Sequence, residues 1–217
     1  MEQTVYTKIA AYGLVPVIKL TDPDHAVPLA EALSAGGLPV AEVTFRTDSA
    51  AESIQRIGRE APDVIVGAGT VLTVEQAKQA VGAGAQYIVT PGFNPKVVQY
   101  CVDNDVPITP GVNSPTTVEQ ALEFGLTLLK FFPAEASGGL AMLKALAGPY
   151  GHVRFVPTGG VSGSNLAAYI GQKNVAAVGG SWIVPGDAIA AGDFRKITTL
   201  TAEAIEIVTT TRATATV

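Results

Sequence analysis

Leu128-Leu129-Lys130-Phe131-Phe132-Pro133 places a primary amine inside an otherwise apolar run. Read as a β-strand, the run alternates sides, so Leu128, Lys130 and Phe132 share one face while Leu129 and Phe131 take the other. The amine then points into whatever the sheet encloses. Burial disfavours the charged ammonium, and a desolvated lysine is a usual route to an amine that attacks carbonyls. A lysine held in a buried ion pair is the structural alternative, and the strand alone leaves it open.

Outward from this strand, β-branched or apolar runs recur about every 20 to 26 residues, each followed by a turn and a helix-like segment, the pattern of repeated βα units. The runs are Val15 to Leu20, Val40 to Phe45, Val64 to Gly69, Tyr87 to Thr90, Pro107 to Thr109, Leu128 to Phe132, Arg154 to Pro157 and Val175 to Val178. Eight such units predict an α/β protein built as a single (β/α)8 TIM barrel, with a doubly wound sheet as the alternative. An extra helix is expected before the first strand. Asp48 reads as the cap of a helix to Arg59, and Thr73 as the cap of another with Gln76 three residues on. No linker divides residues 1–217, so one domain is expected. The last helix should run from Asp193 into the 200s, and the Thr/Ala-rich tail has little to hold it.

The 217 residues are 47% hydrophobic and 15% charged, which indicates a globular chain, and no stretch has the apolar length of a membrane span. A net charge of −5 opposes broad nucleic-acid binding. The start Met1-Glu2-Gln3-Thr4 lacks a basic region followed by an apolar segment, so the cytoplasm is the default location. Cys101, the single cysteine, falls in an expected helix from Pro95 to Asn104 and reads as core filling. His25 and His152 have no metal-ligand spacing around them, and neither a metal nor another cofactor is expected.

In such a barrel the chemistry gathers at the C-terminal strand ends. Strand two alternates Glu42, Thr44 and Arg46 against Ala41, Val43 and Phe45, which directs a carboxylate and a guanidinium inward or over the mouth, unless they form a structural pair at the rim. Gly67-Ala68-Gly69-Thr70 ends strand three with little bulk and one hydroxyl. Pro91 ends strand four as a rigid wall or a shaper of its loop. Strand seven runs into Thr158-Gly159-Gly160 and strand eight into Gly179-Gly180-Ser181, adjacent loops whose amides and hydroxyl suit phosphate, or two tight turns.

Glu42-Val43-Thr44-Phe45-Arg46, Gly67-Ala68-Gly69-Thr70-Val71, Lys130-Phe131-Phe132-Pro133-Ala134-Glu135, Pro157-Thr158-Gly159-Gly160 and Gly179-Gly180-Ser181-Trp182, in this order, closely resemble the 2-keto-3-deoxy-6-phosphogluconate aldolase family. The resemblance implies a metal-independent class I aldolase on a (β/α)8 barrel, generally a homotrimer, cleaving the phosphorylated keto acid to pyruvate and glyceraldehyde 3-phosphate. Many relatives also act on 4-hydroxy-2-oxoglutarate. By position, Lys130 resembles the Schiff-base lysine and Glu42 the proton-shuttling carboxylate. Arg46 and Thr70 resemble the contacts to the pyruvate carboxylate, and Pro91 and Phe132 positions that line the pocket. Thr158 resembles the substrate-contacting threonine of the phosphogluconate branch, and Gly159, Gly160 and Ser181 the phosphate site, with Gly179 and Gly180 as further substrate-binding candidates from the glycine-loop reading. Lys19 stands where relatives vary between apolar residues and arginine.

Two other functions compete. A sugar-phosphate isomerase would share the glycine loops without needing Lys130, and a metabolite sensor would bind without cleaving a carbon-carbon bond. Within the aldolase reading, burial and the Arg46 cation are expected to favour the neutral amine, with Glu42 farther off and reaching the reacting atoms partly through water.

Overall fold

The computed structural model describes residues 5–215. The chain opens with α1 (Val5–Tyr12), β1 (Leu14–Ile18), α2 (Ala26–Ala35), β2 (Val40–Thr44), α3 (Ala50–Glu60) and β3 (Ile65–Gly69). It continues through α4 (Val74–Gly82), β4 (Ile88–Val89), α5 (Pro95–Asp103), β5 (Ile108–Thr109), β6 (Gly111–Val112) and α6 (Pro115–Glu123). The last third holds β7 (Leu128–Phe131), α7 (Gly139–Ala147), β8 (Arg154–Pro157), α8 (Leu166–Ile170), β9 (Val178–Gly180), α9 (Gly186–Ala190) and α10 (Phe194–Ala215). The expected helix before the first strand is α1.

Every strand pair is parallel, in a six-stranded sheet ordered β5-β4-β3-β2-β1-β9 and a three-stranded sheet ordered β6-β7-β8. Helices cover the outer face in sequence order, α2 on α3, α3 on α4 and α4 on α5, while α10 packs against α2 and α8. The result is an α/β fold with a curled parallel sheet. Eight strands were expected, and the described residues form nine, because a further short strand, Gly111–Val112, follows the fifth run across Pro110. That ring nitrogen has no proton to give a ladder, so β5 pairs with β4 and β6 with β7 on either side of it. Pro110 still accepts from the Lys130 amide at 2.9 Å. The last strand lies at Val178–Gly180 rather than Val175 to Val178, and Val175 makes only an isolated bridge to Phe155.

The side-chain parity read from the sequence holds. Leu129 and Phe131 are buried against the helices, where Phe131 meets Phe155 edge-on at 6.4 Å between centroids, while Leu128 and Lys130 line the interior of the curl. Helix starts follow local chemistry: Thr73 accepts from the Gln76 amide, Asn94 from the Lys96 amide ahead of Pro95, and Ser114 from the Thr117 amide ahead of Pro115. Asp48 does not cap α3. Ser49 occupies that position without a capping bond, its hydroxyl donating to Leu20 O at 2.7 Å, and burial of Ala50, Ser53, Ile54 and Ile57 along one face holds the helix instead. Cys101 is buried in α5, and burial pushes its thiol up to about 11. His152 is exposed. Among the described residues no helix is long and apolar enough to cross a membrane.

The Thr/Ala-rich end, expected to have little to hold it, is helical to Ala215; residues 216–217 lie outside the described residues. Its anchor is Arg212, which donates to Ala10 O at 2.8 Å and Ala11 O at 2.9 Å in α1, and to Ala176 O at 2.7 Å before β9. A cation at those carbonyls also opposes the negative end of α1. Arg212→Ala strips three carbonyls of their donor and should cost about 2 kcal/mol, a fall in Tm of roughly 4–8 °C. An unchanged melting curve would show that α1 is held without it.

Candidate active site

Lys130 and Glu42 are 5% and 3% exposed, and the Lys130 Nζ lies 3.3 Å from Glu42 Oε1. The two residues come from different sheets, 88 positions apart in sequence. Glu42 reaches its place because Gly69, its diagonal neighbour on β3, has no side chain: a Cβ there would fall 2.7 Å from Glu42 Cγ and 2.8 Å from Cδ. Strand three therefore ends in glycine to make room for a carboxylate. The expected separation of Glu42 from the amine is corrected by this contact. The carboxylate on β2 and the amine on β7 both point into the narrow interior, where they form a buried ion pair.

Arg46 is held differently from the rim pair that strand two allowed. Its Nε donates to Thr44 Oγ1 at 2.9 Å, and Thr44 in turn donates to Ile18 O at 2.7 Å. This fixes the guanidinium at the C-terminal end of β2 and leaves its two terminal nitrogens, the fork suited to a planar carboxylate. Thr70 follows β3 with φ at 55°, a left-handed conformation uncommon for a β-branched residue and costly enough to mark a place under constraint. Arg46 and Thr70 thus end adjacent parallel strands.

Phe132 forms a wall, its ring centroid 5.4 Å from Lys130 Nζ. Pro91 is half-buried, with its carbonyl packed against Gly111 of β6. Thr158 lines the interior just beyond β8 and bridges to Gly179, so the two glycine-rich segments are neighbours as expected. Gly160 adopts φ 82°, and a Cβ on it would lie 2.5 Å from Glu135 Cγ, so packing as well as backbone conformation requires glycine there. Gly179 and Gly180 were read as a loop; they belong to β9, paired with Val15 and Pro16 of β1. Ser181, exposed just past that strand, and Lys19, exposed past β1, stand on the same rim.

Below the amine lies a cavity of about 20 Å³ lined by Tyr6, Ile9, Val15, Glu42, Tyr87, Val89, Thr109, Leu128, Lys130, Val156 and Thr158. It has room for a water, not a substrate. A surface groove of about 360 Å³ includes Arg46, Thr47 and Asp48 but neither Lys130 nor Glu42, so it does not contain the reactive pair. Tyr6, Tyr87 and Thr109 escaped the sequence reading, because each alone passes for core packing. Their signal was parity: on strands four and five the inward positions carry Tyr87 and Thr109, hydroxyl groups where an apolar side chain would fill the same space.

The amine, carboxylate and guanidinium can together form an imine, move protons beside it and hold an acid group. Residues 5–200 match the family model described as KDPG and KHG aldolase. A 2-dehydro-3-deoxy-phosphogluconate aldolase of Treponema pallidum is 54% identical over 205 residues, 94% of this chain and 98% of that protein. The KHG/KDPG aldolase of Escherichia coli K12 is 46% identical over 193 residues, 89% of this chain and 91% of that one. The KDPG aldolase of Legionella pneumophila, solved with pyruvate captured at low pH as a covalent carbinolamine intermediate, superposes with a TM-score of 0.88 at 41% identity, covering 91% of this chain and 96% of its own. With the site geometry and these likenesses in agreement over most of its length, the chain belongs to the KDPG and KHG aldolase family.

Proposed function

We propose that this protein is a class I Schiff-base aldolase that cleaves 2-keto-3-deoxy-6-phosphogluconate to pyruvate and glyceraldehyde 3-phosphate, and 4-hydroxy-2-oxoglutarate to pyruvate and glyoxylate. The observation that carries the reading is the buried Lys130 amine in direct contact with Glu42. An isomerase needs no such amine, and a sensor needs no carboxylate against it.

A proton passing from the ammonium to Glu42 leaves a neutral amine at the one place where a ketone can meet it. Lys130 Nζ attacks C2 to give a carbinolamine, and Glu42 returns the proton as water leaves, producing a protonated imine. Glu42 then takes the C4 hydroxyl proton, the C3–C4 bond breaks, and its electron pair moves into the imine to form an enamine as the aldehyde departs. Protonation at C3 and hydrolysis release pyruvate and restore the amine. Arg46 and Thr70 hold the carboxylate of the keto acid, with Pro91, Phe132 and Thr158 as walls. Gly159, Gly160, Gly179, Gly180 and Ser181 receive the phosphate. The two anchors set which bond lies over the imine.

The two sheets are read as one closed, single-domain (β/α)8 barrel, in which β5 and β6 share the fifth strand position. The Thr158 to Gly179 and Phe155 to Val175 bridges, which tie β8 to the β9 edge, support this closure. A homotrimer in the cytoplasm is the form the family resemblance implies.

The decisive test incubates the protein with pyruvate and borohydride and locates the adduct by mass spectrometry; it should sit on Lys130, and an adduct elsewhere would reject the assignment. Ser181→Ala should lower kcat/KM about tenfold for the phosphorylated substrate, the loss of one hydrogen bond to a charged group, and leave 4-hydroxy-2-oxoglutarate within about twofold. An equal loss on both substrates would contradict phosphate anchoring.

A further inference from the structure

The Tyr6 hydroxyl is sealed from solvent without a well-formed hydrogen bond among the described residues, and the nearby Thr109 hydroxyl offsets only part of the rise that burial gives its phenol. A buried hydroxyl is rarely left unpaired, and when it borders a polar cavity the usual partner is an ordered water. The cavity of about 20 Å³ beside it exceeds the volume one water needs, and although most of its wall is apolar, its lining residues include Thr109, Tyr87, Thr158, Glu42 and Lys130, from which the two to four polar partners of such a water can come.

Tyr87 belongs to the same cluster. It is buried before β4, packed where a Cβ on Gly67 would collide with its ring, and its hydroxyl reaches Ala41 O only at 3.4 Å. Burial, then the Glu42 charge, then Tyr6 push its phenol well above the usual range, so Tyr87 lies within electrostatic reach of both, and all three residues line the one cavity. Packing alone would be met by phenylalanine at 6 and 87 and by valine at 109. The cluster is also held rigidly, since Arg212 fastens the carbonyls of Ala10 and Ala11 at the end of the helix that carries Tyr6.

We propose that Tyr6, Tyr87 and Thr109 bind one water beneath Lys130 and Glu42, and that this hydroxyl-lined floor positions the Glu42 carboxylate for proton transfer. The role is positioning, because none of these hydroxyls touches the substrate, and it rests on the reading of Glu42 as the proton-moving group. A water held from below keeps the carboxylate in the orientation from which it serves C4 and C3, while the extent of imine that can be trapped with pyruvate is set by the presence of the Lys130 amine rather than by the speed of proton transfer.

The test uses the full chain with Tyr6→Phe and Thr109→Val, both close in shape to the native side chains. Each should lower kcat for 2-keto-3-deoxy-6-phosphogluconate about tenfold with KM within about twofold, as expected for losing a hydrogen-bonded link to a charged group. Exchange of pyruvate methyl protons in D2O, in which a base removes a C3 proton from the imine and a deuteron returns, should slow in parallel. Borohydride trapping of pyruvate should stay at the native extent. A crystal structure should show a water within hydrogen-bonding distance of Tyr6 Oη and Thr109 Oγ1. Native kcat and exchange in both folded variants, or a dry cavity, would overturn the proposal. Lower activity that merely tracks the fraction folded, with trapping lost in proportion, would overturn it too. Glu42→Gln run alongside separates the two readings: if that variant turns over normally the site assignment fails, whereas an impaired Glu42→Gln beside a native Tyr6→Phe removes the floor alone.

Discussion

Lys130→Ala should lower turnover of 2-keto-3-deoxy-6-phosphogluconate by at least about 10⁴-fold and abolish the borohydride-trapped pyruvate adduct, since removing a covalent nucleophile removes the pathway rather than one contact along it. The interior offers no second amine, because among the residues lining the cavity Lys130 alone bears one. Lys19 stands exposed past the end of β1 and cannot replace it from there. The substitution also leaves Glu42, 3% exposed, without its cation, which destabilises the fold and adds to the loss. Lys130→Arg answers that objection. It keeps a cation beside Glu42 but presents a guanidinium that forms no imine, so a folded, inactive, untrappable Lys130→Arg assigns the loss to the missing amine. A pyruvate adduct surviving in either variant would place the nucleophile elsewhere and dismantle the proposed function.

Much of this site was written in local pattern, and what was not has a common cause. Parity along Val40 to Arg46 and Leu128 to Phe132 told which side chains turn inward, because the period of two is a property of the strand itself. The same rule could not say how far Glu42 lies from Lys130. That distance depends on how two strands from different sheets converge, and the sequence reading kept them apart for a water when the side chains touch at 3.3 Å. Pro110 shows the converse. Its effect is local, but the two-residue β6 after it, Gly111–Val112, is too short to register as a strand until β7 pairs with it. Gly179 and Gly180 read in sequence as a loop after the run ending at Val178; glycine is poor in strands by propensity, and pairing with β1 overrides that preference. Tyr6 was invisible for a different reason: a tyrosine on a short first helix says nothing of which cavity it enters until the curled sheet supplies the cavity.

Gly69 gives the sharpest way to separate the presence of the Glu42 carboxylate from its placement. Glu42→Gln should lower kcat by about 10²–10⁴-fold, the range for losing a general acid–base, while an adduct with pyruvate still forms on Lys130. Gly69→Ala leaves the carboxylate chemically intact. The new Cβ, however, would fall within 2.8 Å of Glu42 Cδ, so the side chain must rotate away and the 3.3 Å contact with Lys130 Nζ must lengthen. Because the obstructed atoms are the far end of a flexible side chain, the fold can yield there without moving the strand, and the damage falls on geometry. The expectation is a loss in kcat of about 100-fold for Gly69→Ala, since small displacements of a catalytic group carry penalties of that size. Pyruvate trapping should persist, as in Glu42→Gln. Combining the two substitutions should cost little more than Glu42→Gln alone, because both act on one group and their effects do not add. Native turnover in Gly69→Ala would mean that Glu42 works from a range of positions, and fully additive losses in the double variant would mean that Gly69 serves something other than the room it makes for that carboxylate.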